Sequence, residues 1–331
     1  MQYNIFKSTK FSDMDQRAES KLFFPLFTAV FLVFAFFTIA LFLLHYNSLI
    51  KIKESRAEKN SHKIYSIINS SFNYTEQLLL FMGKEISNKN KGKDLEYIHK
   101  MFRDMSQTEL SRDNLFSWSQ FDWVDINNQQ TVNTMTGIEL QNPQDMSLRS
   151  YTREARLDPW RLKFVMPIIG YPSNTYVIPV GIGVVNQGKN YLGALVVGVD
   201  INKLINKINP NLELGDQFMV IDSTGFNFVL GSADLMLKKD HQDIERLLKK
   251  IKLQHLEPDE YLREPLEFEN TQYVYSFDMQ KYPYIILTGY NKKIFWQELY
   301  SLFIPTFTLL AFITILVEVL LLVLWRKNKL E

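Results

Sequence analysis

Cysteine is absent from the 331-residue sequence. Its absence excludes disulfide bonds, thiol catalysis and zinc or iron–sulfur centres held by Cys, and it suits a domain outside the cytoplasm that is stabilised by packing alone. Histidine is scarce, and none of the five residues pairs with another at the spacing of metal ligands on a helix: His45, His62, His99, His241 and His255. We therefore expect neither a metal ion nor a cofactor.

An excess of charge of one sign is also missing. The sequence has 37 Lys and Arg residues against 36 Asp and Glu residues, a formal net charge of +1. Capture of a polyanion needs a concentrated basic surface, so we expect no nucleic-acid partner. The sequence also lacks the GxSxG, GxxxxGK[ST] and HExxH patterns and any kinase or cyclase motif, and we do not expect an enzyme.

Two long apolar segments lie near the ends of the chain. The segment 22–44 has no charged residue, and the segment 301–325 has one, Glu318. Because about 20 apolar helical residues cover the hydrocarbon core of a bilayer, both are predicted to span a membrane. The first is too long for a cleaved signal peptide, and no small-residue cleavage site follows it. Residues 1–21 and 326–331 would then be short tails on the same side of the membrane.

Charge does not decide on which side of the membrane the two tails lie, because basic residues lie on both sides of the first span and large domains cross regardless of charge. Glu318 adds a second question, since a carboxyl group within the hydrocarbon layer usually faces protein. We predict that Glu318 bonds to Thr28, which would lie at a similar depth, or to its own copy in a homodimer. The alternative is that it reaches towards the membrane surface without a signalling role.

Between the spans, the chain begins with a helical pattern and continues with a repeated one. Apolar residues at three- and four-residue steps predict a long helix within 45–92. A strand, turn and strand pattern at 123–128 recurs at 220–225, and each copy ends in two strands and a helix. This duplication predicts two tandem α+β modules, 93–208 and 209–300, joined near Asn209–Asn211. A lysine-rich helix with a solvated face is expected at 233–253.

The stretch 145–204 concentrates the candidate binding residues. It combines a cationic end, flat aromatic walls and a carboxylate at a strand end, a combination that suits a small zwitterion or carboxylate. We predict that Arg156 and Asp200 bind the ligand and that aromatic side chains line the site: Tyr151, Trp160, Tyr171 and Tyr176. Two alternatives stay open, because Asp200 could cap the helix that follows it and Trp160 could be a core anchor.

The order of helix, aromatic and arginine cluster, long strand, turn, strand and closing Asp200 resembles the membrane-distal module of double Cache sensors. The resemblance extends over 49–295 and implies two tandem PAS-like modules on a long N-terminal helix, flanked by two transmembrane helices. In the amino-acid-binding branch, a Tyr, an Arg five residues later and a Trp hold the ligand carboxylate, while a later Tyr and a strand-end Asp hold its ammonium.

Tyr151 and Arg156 keep that spacing here, and Asp200 occupies the strand end. Trp160 lies two residues farther from Arg156 than in the branch, and either Tyr171 or Tyr176 would be the later Tyr. The resemblance implies a bacterial inner-membrane protein whose large domain is periplasmic. It would bind an amino acid, a carboxylate or an amine, form a homodimer and pass a conformational signal across the bilayer.

Only six residues follow Trp325, so we expect either that the output resides on a separate cytoplasmic protein or that the chain is a truncated or split descendant of a longer receptor. A rival interpretation is a structural assembly protein such as a polysaccharide chain-length regulator, which also has two terminal spans around a periplasmic domain. Those proteins are mainly helical and proline-rich near the second span. Here Pro305 alone lies in that region and the middle of the chain is rich in strands, so the sensor is favoured.

Overall fold

The structure is a computed structural model that describes residues 8–110, 117–225, 227–232 and 260–330, with Leu235, Arg246, Leu248 and Lys249. The chain divides into two units: one extends up to Lys53 and resumes at Lys292, and the other is Glu54–Asn291. The predicted α+β architecture is confirmed, with a long helix at each end and two antiparallel sheets between them.

Helix α1 covers Ser8–Asn88, so the apolar segment predicted at 22–44 and the long helix predicted after it form one uninterrupted element. In its second half, apolar side chains at three- and four-residue steps form a buried stripe: Ile64, Ile68, Phe72, Leu79, Met82 and Ile86. The helix stops where Asn90 adopts a left-handed conformation (φ 50°), which Asn tolerates better than most residues, and where the Lys91 N–H donates to Ile86 O.

The first module, defined here as residues 95–208, contains helices α2 (Leu95–Leu110), α3 (Ser150–Leu157) and α4 (Ile201–Ile208). Its long strands are β1 (Trp118–Asp125), β2 (Gln129–Asn133), β7 (Tyr176–Val185) and β8 (Tyr191–Asp200), and its short strands are β3 (Gly137–Ile138), β4 (Gln144–Asp145), β5 (Lys163–Phe164) and β6 (Ile168–Ile169). The strand order is β3-β2-β1-β8-β7-β5, with β4 beside β2 and β6 beside β7.

Helix α3 lies directly against the sheet at Gly183 of β7. A Cβ atom at this position would lie 2.8 Å from the carbonyl carbon of Ala155, so a residue with a side chain would push the helix away. Tyr151 of the helix, Val124 of β1 and Ala194 of β8 belong to one buried cluster. The close approach therefore seals one face of the sheet and fixes the position of α3.

The second module, defined here as residues 209–291, begins with a short 3-10 turn at Asn209–Asn211. Its strands are β9 (Asp216–Asp222), β10 (Phe228–Gly231), β11 (Glu260–Phe268), β12 (Thr271–Asp278) and β13 (Tyr284–Asn291), in the order β10-β9-β13-β12-β11 with antiparallel pairing. Its core includes Met219, Tyr273 and Leu287. The lysine-rich helix predicted at 233–253 lies almost entirely outside the described residues.

Helix α1 connects the two modules. Near the first module, the Trp118 indole N–H donates to Thr75 Oγ1 at 2.8 Å. Near the second, the Thr288 hydroxyl donates to Ala57 O at 2.8 Å. Between these points the Phe72 ring lies 5.0 Å from both Phe164 of the first module and Tyr282 of the second, and Tyr284 belongs to the same aromatic cluster. One face of α1 is therefore shared by both modules.

Helix α5 (Lys292–Leu330) follows β13 without a connecting loop. The N-terminal part of α1 and helix α5 are each long and apolar enough to cross a membrane, and most of their large apolar side chains are exposed. Within their unit the two helices are antiparallel, since Phe42 packs against Phe303 and Phe34 packs against Phe307.

Candidate functional site

A pocket lies on the α3 side of the first module's sheet. Its walls come from β1, the segment leading into α3, the turn after β6 and the facing strands β7 and β8. The polar side chains that line it are those of Gln120, Asp122, Gln144, Arg149, Tyr151 and Tyr171. The space is small, with a cavity volume of about 40 Å³, so the pocket as it stands has room for water rather than for an organic ligand.

Strand β1 supplies the anionic wall because its side chains alternate between the two faces of the sheet. Phe121 packs against Phe102 of α2 on one face. Gln120 and Asp122 face the pocket on the other face. The strand lies between β2 and β8, so these polar side chains are held inside the module, with Gln120 6% and Asp122 4% exposed.

The carboxylate of Asp122 accepts three side-chain hydrogen bonds from amides. Gln120 Nε2 donates to Oδ2 at 3.0 Å, and Gln130 Nε2 and Asn133 Nδ2 donate to Oδ1 at 2.7 and 2.5 Å. Burial raises the pKa of Asp122 to about 7, although these three bonds act in the opposite direction by stabilising the ionised form. A carboxyl group that titrates near neutral pH therefore forms one wall of the pocket.

A cationic side chain lines the same pocket. Arg149 immediately precedes α3 and has an extended main chain (φ −80°, ψ 120°). Tyr151, two residues later, is 3% exposed, and burial together with the nearby charge of Asp122 raises the pKa of its hydroxyl. The pocket thus combines a carboxylate, a guanidinium and a phenol that stays protonated.

The turn after β6 forms part of the pocket wall and is tied to β1. The Gln120 amide that donates to Asp122 also donates from Nε2 to the main-chain oxygen of Tyr171 at 2.9 Å. The Tyr171 side chain is 65% exposed, so this residue contributes to the rim rather than to the floor.

The structure brings two of the six predicted ligand residues, Tyr151 and Tyr171, to this pocket. Arg156 lies elsewhere, with its guanidinium 5.3 Å from the centre of the Tyr191 ring. The separation follows from helix geometry, because five residues in an α-helix turn the side chain by roughly 140°. Tyr151 therefore faces the sheet while Arg156 is exposed.

The other three predicted residues also lie outside the pocket lining. Asp200 is the N-cap of α4 and accepts a hydrogen bond from the Lys203 N–H at 3.1 Å, as in the helix-cap alternative. Trp160 packs against α1, where a Cβ at Gly83 would lie 2.8 Å from its ring. Tyr176 begins β7 and is 45% exposed. A ligand role for these residues stays a prediction.

The polar pocket residues that sequence reasoning did not include among the candidates are Gln120, Asp122, Gln144 and Arg149. A signal for the first two was present, because Gln120 and Asp122 alternate with Phe121 and Trp123 in one strand. Such a pattern can indicate a buried polar face. Among the described residues, no group of three or more His, Asp or Glu side chains could hold a metal ion.

The predicted membrane contact involves residues of the two apolar segments. Glu318 is half-buried in α5, and Thr28 is exposed in α1. Their pairing, and the alternative pairing of Glu318 with a second copy, stay predictions.

No protein-family model and no curated protein sequence matches the chain. Solved structures do match it in fold. The extracellular domain of the histidine-kinase candidate rpHK1S-Z16 aligns with a TM-score of 0.59 and 17% identity over 74% of this chain and 96% of that chain. The sensory domain of the Campylobacter jejuni chemoreceptor Tlp3 with isoleucine bound gives a TM-score of 0.54 and 13% identity over 76% and 98%.

The ligand-binding domain of the Pseudomonas fluorescens chemoreceptor CtaA with L-alanine gives a TM-score of 0.53 and 10% identity over 72% of this chain and 97% of that chain. At these identities the likeness concerns the fold. It covers 72–76% of this chain and nearly the whole of each matched domain. The region between the two apolar segments therefore has the double Cache fold, as the sequence predicted.

Proposed function

We propose that this chain is a membrane-anchored sensor that binds a small organic ligand in the pocket of its first module and passes a conformational signal across a membrane. The observation that carries the proposal is the pocket itself, in which Asp122 and Arg149 provide opposite charges within a double Cache fold. Tlp3 and CtaA, whose sensory domains share this fold, bind isoleucine and L-alanine. An amino acid, a carboxylate or an amine would fit the same chemistry.

The setting we propose is the inner membrane of a bacterium, with the double Cache region in the periplasm and both tails in the cytoplasm. Two apolar helices flank a domain whose fold is that of extracellular sensor domains. The working unit would be a homodimer that acts on a separate cytoplasmic output protein. Glu318 would contribute to the dimer by bonding to its own copy, or would stabilise the helix pair by bonding to Thr28.

Ligand entry must enlarge the pocket, because about 40 Å³ is far below the roughly 300–1,000 Å³ of sites that enclose small molecules. The wall that can give way is the turn after β6, which the Gln120–Tyr171 hydrogen bond holds against β1. Movement in the first module would reach the second through the cluster of Phe164, Phe72 and Tyr282. It would then reach α5 through β13, which continues directly into that helix.

A thermal-shift screen of the full-length protein in lipid nanodiscs tests this function. The panel would contain amino acids, small carboxylates and amines. A ligand that binds only the folded state stabilises it by about 2.7 kcal/mol at a hundredfold excess over Kd. We expect at least one compound to raise the midpoint in the wild type but not in a Val196→Trp variant, whose added bulk fills the pocket. A folded protein with no response to any compound would contradict the proposal and favour an assembly role.

A further inference from the structure

Among the described residues, the Asp122 carboxylate has no positively charged partner. Its three side-chain hydrogen-bond donors are neutral amides, and no Lys, Arg or His in the described part of the chain forms an ion pair with it. A buried carboxylate without a counter-charge is costly, even when it is well hydrogen-bonded. The arrangement of three N–H groups nevertheless suits the ionised form. A cation that entered the pocket would therefore stabilise the carboxylate form of Asp122.

Two further oxygens in the same pocket lack a donor. Gln120 Oε1 and Gln144 Oε1 are both buried and accept no hydrogen bond from any described residue. The orientation of the Gln120 amide is fixed by its neighbours, because its Nε2 donates to both Asp122 Oδ2 and Tyr171 O. A buried acceptor without a partner is unfavourable, because it has lost its hydrogen bonds to water. Each of these oxygens thus gains from a ligand that donates.

We propose that Asp122, Gln120 and Gln144 form a subsite for a ligand cation with several N–H donors, a primary ammonium or a guanidinium. This inference rests on the proposed function and specifies its ligand class. The subsite offers a carboxylate and two amide oxygens, all of them acceptors, so it matches an N–H-rich cation and repels a carboxylate. The ligand must therefore carry an amino or guanidino group, whether or not it also carries a carboxylate.

Arg149 is consistent with this assignment, because its positive charge could bind a carboxylate of the same ligand. It is the cationic side chain that lines the pocket, and no described residue pairs with its guanidinium in a salt bridge. A ligand with an ammonium and a carboxylate could contact Asp122 and Arg149 at once. A simple amine would use the Asp122 subsite alone.

Matched compounds test the assignment on the full-length protein in nanodiscs. Each set contains an amino acid, the amine that lacks its carboxylate and the acid that lacks its amine: alanine, ethylamine and propionate; valine, isobutylamine and 3-methylbutanoate; phenylalanine, 2-phenylethylamine and 3-phenylpropionate. Arginine and agmatine supply guanidinium groups. Thermal shift identifies binders and calorimetry gives their affinities. We expect binders only among compounds with an amino or guanidino group.

Two variants assign the contact. Asp122→Asn should weaken the best binder by a hundredfold or more, and Gln144→Met should weaken it by about tenfold while leaving Asp122 untouched. The matched control is Asp158→Asn, which alters a carboxylate of the same module that lies outside the pocket and pairs with Lys163. If Asp122→Asn does not fold, Gln144→Met alone decides between the outcomes.

The inference would be overturned, with the proposed function intact, if only the acids bound or if the amines bound equally well to the Asp122→Asn and Gln144→Met variants. If no compound of any charge stabilised the wild type, the proposed function and the inference would both fail.

Discussion

Lys53 Nζ lies 2.8 Å from Glu298 Oε2, and the lysine side chain is only 1% exposed. This ion pair joins α1 to α5 just beyond their apolar segments, where the Tyr46 ring also packs edge-on against Phe295. A protein is strongly destabilised when a buried lysine loses its negatively charged partner. The pair therefore fixes the position of one helix relative to the other next to their apolar segments.

The first prediction concerns this pair. Glu298→Leu or Lys53→Met alone should destabilise the helix pair by about 2 kcal/mol, less than for a fully buried pair because Glu298 is 37% exposed. The double variant Lys53→Met/Glu298→Leu should recover most of the loss, since apolar side chains can replace a buried pair. Thermal midpoints of the four proteins in one detergent give the coupling. Additive losses would show that the two residues do not stabilise each other.

The second prediction concerns pH. The pKa of Asp122 is about 7 in the folded protein, above its ordinary value of 3.8, because burial disfavours the charged form. The folded state therefore retains a proton that the unfolded chain releases, so stability falls as pH rises from about 4 to 7. The full effect is on the order of 4 kcal/mol. Thermal midpoints between pH 4 and 8 should fall in the wild type and vary much less in Asp122→Asn.

The other ionisable side chains that line this pocket are those of Arg149, Tyr151 and Tyr171, and burial raises the pKa of Tyr151, so its hydroxyl stays neutral over that range. If the thermal midpoint of the Asp122→Asn variant fell equally steeply with pH, groups outside the pocket would be responsible for the pH dependence. A bound ammonium reverses the trend, because it favours the ionised carboxyl group. Affinity for an amine should thus rise over the same pH range in which the ligand-free protein loses stability.

The third prediction separates two arginines of one segment. Arg149→Ala should weaken a ligand that carries a carboxylate by about tenfold, equivalent to about 1.4 kcal/mol, because Arg149 lines the pocket. Arg156→Ala should leave affinity unchanged, since the Arg156 guanidinium lies over the Tyr191 ring instead. Calorimetry with the best amino-acid binder compares both variants with the wild type. A larger loss in Arg156→Ala would return the carboxylate contact to the position that the family spacing implies.

Sequence reasoning reached the fold because the fold depends on patterns that one sequence carries. The apolar periodicity of α1 can be seen within a short stretch of sequence. The same is true of the two long apolar segments and of the strand ends at Asp125 and Asp222. The site depends on which side chains the folded chain brings together. The strands β2, β3 and β4 separate Asp122 from Arg149 in sequence, and no periodicity relates Asp122 to Gln144 or to Arg149.

The spacing of Tyr151 and Arg156 illustrates the limit. Two side chains that are five positions apart reach the same site only when the chain between them is not a regular helix. Here α3 is a regular helix from Ser150 to Leu157. The interpretation of Asp200 was limited in a different way. A carboxylate at a strand end before a helix is equally suited to bind an ammonium or to cap the helix, and only its hydrogen bond to the Lys203 N–H distinguishes the two.

The fourth prediction tests that distinction. As a cap, Asp200 stabilises α4 by satisfying the Lys203 N–H, so Asp200→Ala should cost about 1 kcal/mol of stability. Asp200→Asn should cost little, because Asn caps helices about as well as Asp. Neither change should alter the affinity for an amine, since Asp200 lies outside the pocket lining. If both variants lost binding while Asn kept the stability of the wild type, Asp200 would be a ligand contact, and the amine subsite would have to extend from β1 to the end of β8.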